Sequence, residues 1–597
     1  MSIKINGRSY PYQSSYNGLN IIEVCQLLKQ PITALCFLKQ CSNIARCGLC
    51  LVSVNHALKL ACATKIADGD QIEIDTPEIK QAVLTKVNGL LNRHQFNCGS
   101  CSRRHNCEFL KLVITTKAKK TSQSKPHELK TLSDDRSAAI VLDQSKCLGC
   151  NRCVANCKYR TGLDCLKLIP TPINKQPGLA VCPIDPKKPL DQSKCLLCGQ
   201  CILACPTGAL SEKSHIDRIL AAIKDQKTYV VCAIAPSVRT ALGEEFGFPY
   251  GTDVIKKIYT ALKQIGIDQV YDLNFAADLT IFEEAFEFVN RLGINIEPLL
   301  KKLNLKRDHP NVVHHHPLPL ITSCCPAWMR LANHTYPEWI EHISSTKSPQ
   351  SIYGSMIKEF LPKTNPKLKK ASIFTINIVP CTAKKYEAIL PVNQGNVDAV
   401  LTTRELAALI RLHKIDFAKL PDGKADQVMG PFSSAAALFG TSGGVMVSVL
   451  KFLAKLIDNK DLNIKFNSLL NFDDIKKATV KIANKTIKIA IINGAANVAV
   501  FKNKFDFKSF HFIEVMSCKN GCINGGGQPI IPANTLNQTN DILCKRSSVL
   551  VNNQKHNKMA TTVQNASMLE MYRILKMVPN DEYAYRIAHN TTNKQKG

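Results

Sequence analysis

Acidic residues are scarce in this 597-residue chain: 47 Asp and Glu stand against 77 Lys and Arg, a formal charge of +30. Aromatics are also sparse, at 6%, and the lysines are scattered rather than gathered into a stripe. That pattern argues against a nucleic-acid surface and for solvated charge or an acidic protein partner. No run of about 18 apolar residues occurs, so no membrane span is expected. The opening MSIKINGRSYPYQSS has neither an apolar core nor a small-residue cleavage site, so no secretory signal is expected. A GxGxxG-type nucleotide loop is also missing.

What the chain does have is cysteine. Twenty-six cysteines in an unsecreted chain imply a reducing, intracellular setting, where thiols hold metals or do chemistry rather than pair. The expectation is a cytoplasmic protein, or one held in an organelle. A hydrophobic content of 45% supports filled cores over several domains. Residues 1–80 alternate apolar positions (Ile3, Ile5), pass through an amphipathic IIEVCQLLK and end on the strand pattern QIEID, a small α+β unit. Residues 81–115 hold a short His/Cys group, and 116–137 are polar and basic, a linker. Residues 138–212 carry the repeated runs CLGCNRCVANC and CLLCGQCILACP. From 213 to 597, buried-strand runs (YVVCAIAPSV, ASIFTINIVP, IKIAIING) alternate with helical patterns, predicting a large α/β domain with parallel strands. The fold class is therefore multidomain α+β and α/β.

The repeat is the most specific signal. Cys147, Cys150, Cys153 and Cys157, then Cys195, Cys198, Cys201 and Cys205 followed by Pro206, spell C-x2-C-x2-C-x3-C twice. In this two-cluster ferredoxin run the fourth cysteine ligates the other cluster. One [4Fe–4S] cluster is thus expected on Cys147, Cys150, Cys153 and Cys205, and another on Cys195, Cys198, Cys201 and Cys157. A pair of structural zinc sites fits the crossed spacing poorly. In the first unit Cys47, Cys50 and Cys62, with either Cys36 or Cys41, provide four thiolates for a [2Fe–2S] cluster, zinc being the alternative. His94, Cys98, Cys101 and Cys107 suit zinc or a [4Fe–4S] cluster equally on spacing. Their place between two cluster domains favours iron–sulfur, because electrons hop only short gaps. With their thiolates, such clusters carry about one or two negative charges each, so the loaded protein is less basic than its sequence.

The large domain has no dense run. It has TSCCPAW with Cys324 and Cys325, VPCTAKKYE with Cys381, and FIEVMSCKNGCINGGGQP with Cys518 and Cys522. Three glycines in a row suggest bare backbone approaching something closely. In this order the three stretches resemble the signature set of the [FeFe]-hydrogenases, and the N-terminal cluster order resembles the long, multi-cluster members of that family. The resemblance implies reversible oxidation of dihydrogen to protons and electrons, exchanged with ferredoxin or a similar carrier through accessory clusters. It also implies hydrogenase maturation proteins as partners.

By position, Cys325, Cys381, Cys518 and Cys522 would ligate the active-site [4Fe–4S] cluster. Cys522 would bridge to a diiron subsite bearing CO, cyanide and a dithiolate, together the H-cluster. Lys384 would donate to a cyanide, with Pro236, Ser237, Gln350 and Met516 lining the site. The resemblance also selects Cys36 over Cys41, a [2Fe–2S] β-grasp domain and a [4Fe–4S] cluster at His94. Cys324 would relay protons to Glu284, Ser344, Glu287 and Arg291. On their own, Glu284, Glu287 and Arg291 in TIFEEAFEFVNR share one helix face and also read as solvated charges. The glycines would let backbone pass the inorganic group. A non-catalytic relative that assembles or senses clusters, and an electron-transfer subunit of an NADH-linked complex, are the rival readings.

Two positions depart from the family pattern. Val379 stands where methionine is usual, and Ser517 replaces the commoner alanine beside Cys518, setting a hydroxyl near a ligand sulfur. The segment 296–316, with His314, His315 and His316, reads as a surface insertion. Cys25, Cys41, Cys165, Cys182, Cys232 and Cys544 are expected to be packing residues.

Overall fold

The structure, a computed structural model, describes residues 2–41, 44–120, 133–173, 176–312, 316–427, 430–469, 472–532, 538–556, 559 and 561–590. Two compact units emerge. The first comprises residues 1–193, 200–211 and 530–539, the second residues 194–199, 212–529 and 540–597.

The first unit opens with a five-stranded sheet whose strands run in the order Arg8–Pro11, Ser2–Ile5, Gln71–Glu73, Leu51–Val54, Ala57–Leu60. Ile21–Leu27 is a helix because Asn20 and Glu23 form a reciprocal cap and Ile21, Ile22, Val24 and Cys25 bury one side. The helix Pro77–Arg93 begins at proline behind the cap Thr76 and buries Ile79, Val83, Val87 and Leu91, one every fourth residue. It meets the helix Glu108–Thr116 through Phe109, Leu112 and Val113. Residues 121–132 of the expected linker lie outside the described residues. The parts flanking that stretch are nonetheless packed together. Buried Arg93 donates to the carbonyls of Cys147 and Thr171, and buried Arg152 pairs with Glu108 at 2.7 Å and reaches the Leu35 carbonyl.

The second unit has two sheets. Gln269–Asp272, Tyr229–Ile234, Ile373–Val379 and Ala399–Thr402 form an all-parallel sheet, in that order. The other runs Leu320–Ile321, Phe512–Met516, Lys485–Asn493, Phe472–Ile482, Asn467–Leu469. Here IKIAIING is parallel to Phe512–Met516 but antiparallel to Phe472–Ile482, so the all-parallel expectation holds for one sheet only. Helix Asn274–Arg291 is buried from Asn274 to Val289 on all sides, which overturns the reading of its carboxylates as solvated charges.

Segment 296–316 is more than a surface insertion. Ile296, Leu299, Leu300, Leu303 and Leu305 join the main core because their spacing gives a short helix an apolar face. His314 and His315 lie outside the described residues. Among the six cysteines expected to pack, Cys25, Cys165, Cys182 and Cys232 are buried, whereas Cys544 is exposed on the helix Thr539–His556.

Candidate active site and cluster cradles

Three strand or loop ends of the second unit bring their special residues to one place. Cys325 precedes the helix Pro326–Thr335, Cys381 follows the strand Ile373–Val379, and Cys518 and Cys522 follow Phe512–Met516. Ends of parallel strands leave loop backbone and side chains free to build a site. Together with Cys324, Pro236, Ser237, Gln350, Val379, Lys384 and Met516, these four cysteines line a cavity of about 90 Å³.

Burial raises Cys381 to about 12 and holds Cys518 and Cys522 well above the ordinary thiol range. Three thiols that burial keeps protonated need a cation before they become thiolate ligands. The Ser237 hydroxyl and Gln350 Oε1 are buried with no hydrogen-bond partner among the described residues. The donor set and these unpaired polar atoms fit an iron cluster with polar ligands. Ser517 Oγ is likewise unpaired beside Cys518.

Lys384 does not stand free. Its ammonium donates to Glu387 at 2.8 Å and to the Cys324 carbonyl at 3.1 Å; burial opposes its charge, but the charge and hydrogen bonds of Glu387, with the Cys381 and Cys324 charges added, raise it overall. Gln350 Nε2 also binds Glu387, at 2.9 Å. Glu387 therefore aims two cavity residues, a role that spacing alone did not reveal.

The glycines pack differently from expectation. Gly525 lines the cavity, yet a methyl group there would overlap the Pro380 carbonyl, and one at Gly526 would overlap the carbonyl of Cys198. The close approach is chiefly backbone against backbone. It seats the loop 194–199 on the catalytic loop, where the charge of Cys198 contributes to raising Cys518.

Beyond Cys324 runs a chain of buried acids. Burial lifts Cys324 well above its ordinary value, with the Glu514 and Glu284 charges adding to the effect. Burial, then the charge of Glu287, lifts Glu284 to about 8. The Ser344 hydroxyl bonds Glu284 and donates to Glu287 Oε2 at 2.8 Å. Burial opposes charge on Glu287 too, but Arg291, His589 and the Ser344 and Ser345 donors hold it down to about 2. Arg291 pairs with Glu287 and donates to the carbonyls of Pro317, His342 and Ile343.

In the first unit Cys147, Cys150, Cys153 and Cys205 surround one small cavity. Cys36 accepts from the backbone of Arg46 and Cys47, and its sulfur lies within bonding reach of Cys47 and Cys62. Cys50 and Cys62 sulfurs are 3.3 Å apart. Cys41 turns instead to Asn156 Oδ1. Burial brings His94 down to about 4, and its Nδ1 has no partner among the described residues, a neutral imidazole suited to a metal. Cys98 and Cys107 each feel the charge of Cys101. In the remaining set Cys157 Sγ lies beside Thr161 and Cys165, and Cys195 Sγ accepts the Leu197 N–H. Cys157 and Cys201 belong to the first unit, Cys195 and Cys198 to the second.

Comparison with known proteins agrees with this geometry. The family description "Iron only hydrogenase large subunit, C-terminal domain" matches residues 228–526. "Iron hydrogenase 1-like, iron-sulfur centre-binding domain" matches 78–118, and "4Fe-4S binding domain" matches 188–211. Iron hydrogenase 1 of Clostridium pasteurianum is 41% identical over 94% of both chains. The NADP-reducing hydrogenase subunit HndD of Solidesulfovibrio fructosivorans is 33% identical over 99% of this chain and 98% of its own. The solved apo [FeFe]-hydrogenase HydA1 of Chlamydomonas reinhardtii, 27% identical, superposes with a TM-score of 0.53 over 63% of this chain and 98% of its own. The chain thus belongs to the iron-only, or [FeFe], hydrogenase family: it is a hydrogenase that carries iron–sulfur clusters and the family's active-site H-cluster.

Proposed function

We propose that this hydrogenase moves protons along Cys324, Glu284, Ser344, Glu287 and Arg291, and electrons along four accessory clusters to a ferredoxin-type carrier. The observation that carries the proton route is the set of buried groups leading away from the cavity, with Cys324 feeling the charge of Glu284 and the Ser344 hydroxyl bridging Glu284 and Glu287. Cys325, Cys381, Cys518 and Cys522 would hold the cubane part of the H-cluster, with Lys384, Ser237 and Gln350 facing its polar ligands. When bound, that group supplies the metal centre at which dihydrogen is made or split.

The protein's own part is positioning and proton handling. Glu387 fixes Lys384 as a point charge in a dry pocket, where it is worth more than in water. Glu284 keeps its proton at neutral pH and so can donate toward Cys324. Glu287 keeps its charge beside Arg291 and accepts from Ser344. The difference between the two carboxyls gives the wire an order: a loaded inner station and an empty outer one.

For electrons, the assigned stations are Cys36, Cys47, Cys50 and Cys62 for a [2Fe–2S] cluster and His94, Cys98, Cys101 and Cys107 for a [4Fe–4S] cluster. The two ferredoxin sets follow, Cys147, Cys150, Cys153 with Cys205, and Cys195, Cys198, Cys201 with Cys157. Maturation proteins would install the diiron part. No helix among the described residues is long and apolar enough to cross a membrane.

Cys324→Ser tests the route. The matured variant is expected to keep its iron and its infrared bands from bound CO and cyanide while turnover falls by about 10²-fold or more. Near-parental hydrogen evolution would remove Cys324 from the path.

A further inference from the structure

Behind the outer relay carboxylate lies a second set of buried polar groups that this route does not use. Glu283, the helix neighbour of Glu284, is fully buried, and so is His589. Glu283 Oε1 accepts the Tyr572 hydroxyl, and Oε2 lies 3.1 Å from His589 Nε2. The other ring nitrogen, Nδ1, is 2.8 Å from Ser345 Oγ. Ser345 Oγ is in turn 3.2 Å from Glu287 Oε2, and the Ser345 N–H donates to both oxygens of that carboxylate at 3.1 Å. Tyr572, Glu283, His589, Ser345 and Glu287 thus form one continuous chain.

Local structure holds the chain taut. Asp581 caps the helix Glu582–Ala588, and His589 leaves it extended to pair antiparallel with Thr346. The Asn590 N–H donates to the Ser345 carbonyl at 2.7 Å, and the imidazole stacks on Tyr585 at 4.9 Å and 11°. Ser345 and the ring therefore cannot drift apart without breaking backbone bonds.

Counting hydrogens shows what this arrangement does. The Tyr572 hydrogen is committed to Glu283. The single Ser345 hydroxyl hydrogen has two claimants, Glu287 Oε2 and His589 Nδ1. With a neutral ring bearing its hydrogen on Nε2 toward Glu283, Nδ1 takes the serine hydrogen, and a Glu287 that has received a relay proton donates it to the serine oxygen. With both ring nitrogens protonated, Nδ1 donates to Ser345 and Ser345 donates to an ionised Glu287. The two patterns hold the same number of hydrogens and differ only in whether Glu287 or His589 carries the mobile one. We propose that His589, oriented by Glu283, is a proton store on the relay, taking one proton from Glu287 through the Ser345 hydroxyl and returning it.

The proposal rests on the reading of Glu287 as a relay group. In the transfer, the Glu287 carboxyl hydrogen passes to Ser345 Oγ as the serine hydrogen passes to Nδ1. Carboxylic acid and imidazole become carboxylate and imidazolium, and no other reactant is needed. The charged groups around the ring act in both directions. Glu283 and Glu287 favour the loaded form, and Asp581, which interacts with Glu283, adds to their negative field. Arg291, paired with Glu287, and His316 oppose it, and the Lys347 ammonium, bound to the Ile587 carbonyl at 2.9 Å, opposes it at a distance. Histidine is the side chain suited to exchanging a proton near neutrality. A reaction that consumes two protons per dihydrogen gains from a second proton already waiting beside the first.

The test uses the full chain with ring-labelled histidine, followed by NMR against pH, the His589 signal being assigned by its loss in His589→Gln. In Glu287→Gln the His589 midpoint is expected to fall by about half a pH unit or more, because a nearby negative charge has gone. In matured protein, His589→Gln and Ser345→Ala, the second leaving the ring in place, are expected to erase the same inflection from the pH profile of hydrogen evolution. Parental profiles in both variants overturn the store. A Glu287→Gln protein of parental turnover overturns the relay on which the store rests. A Glu287→Gln protein without turnover, but with an unshifted His589 signal, overturns the store alone.

Discussion

Glu284 keeps its proton at the expense of the fold. Its carboxyl moves from an unfolded value of 4.5 to about 8 because burial penalises the charge and Glu287 adds repulsion. The folded state therefore holds a proton that the unfolded chain releases between those values. Stability from this group is fully present below about pH 4.5 and is lost as pH rises toward 8, at up to about 1.4 kcal/mol per pH unit. Glu284→Gln, which has no proton to lose, should be increasingly more stable than the parent as pH rises through that window. Denaturant titrations at several pH values check the trend, and a constant difference would show that Glu284 ionises freely. Val379 offers a second residue-scale test. It lines the cavity two residues before Cys381, and methionine would add length and a polarisable sulfur there. Val379→Met is expected to slow inhibition by carbon monoxide and oxygen several-fold at unchanged iron content. Equal inhibition rates would mean that neighbouring side chains already close the gap.

At the scale of elements, the helix Asn274–Arg291 organises the second unit because almost everything it carries is buried and partnered. Nearly two turns before Glu284, Asp278 accepts the Ser433 N–H at 2.7 Å, the Thr562 hydroxyl at 2.7 Å and the Asn565 amide at 2.9 Å. One carboxylate thus ties two separate segments, at Ser433 and at 562–565, to the helix. Asp278→Ala should cost about 3–5 kcal/mol in denaturant unfolding, since it orphans buried donors as well as losing bonds. The helix itself was legible from TIFEEAFEFVNR, and the cysteine runs were legible from spacing. Glu283 was not, because an acid beside other acids looks like part of a solvated face. Glu387, Ser345 and His589 were hidden for another reason. His589 meets Glu283 306 residues away in sequence and Ser345 244 residues away, and no local period encodes such pairs. The mixed second sheet had left a trace: Lys485 and Lys488 in KTIKIAIIN expose one end of a strand that the apolar run made look wholly buried.

For the whole molecule, the buried ties of Arg93 and Arg152 mean that the N-terminal cluster modules are not beads on a string. Excising residues 1–137 would leave buried Arg152 without Glu108 and the Leu35 carbonyl, so the electron route is better tested by removing one ligand. Cys62→Ala is expected to lower iron by about two atoms per chain while hydrogen evolution with a small artificial dye continues and turnover with a ferredoxin-type donor falls. Unchanged iron would remove Cys62 from the [2Fe–2S] set. The thiols around the 90 Å³ cavity carry a last consequence, for how the protein becomes active. Burial favours the protonated form of Cys381, Cys518 and Cys522, so binding iron through them expels acid. Filling grows steeply more favourable as the surroundings become alkaline. A compartment that sours during growth would thus hinder new copies of this catalyst from being completed while sparing those already loaded.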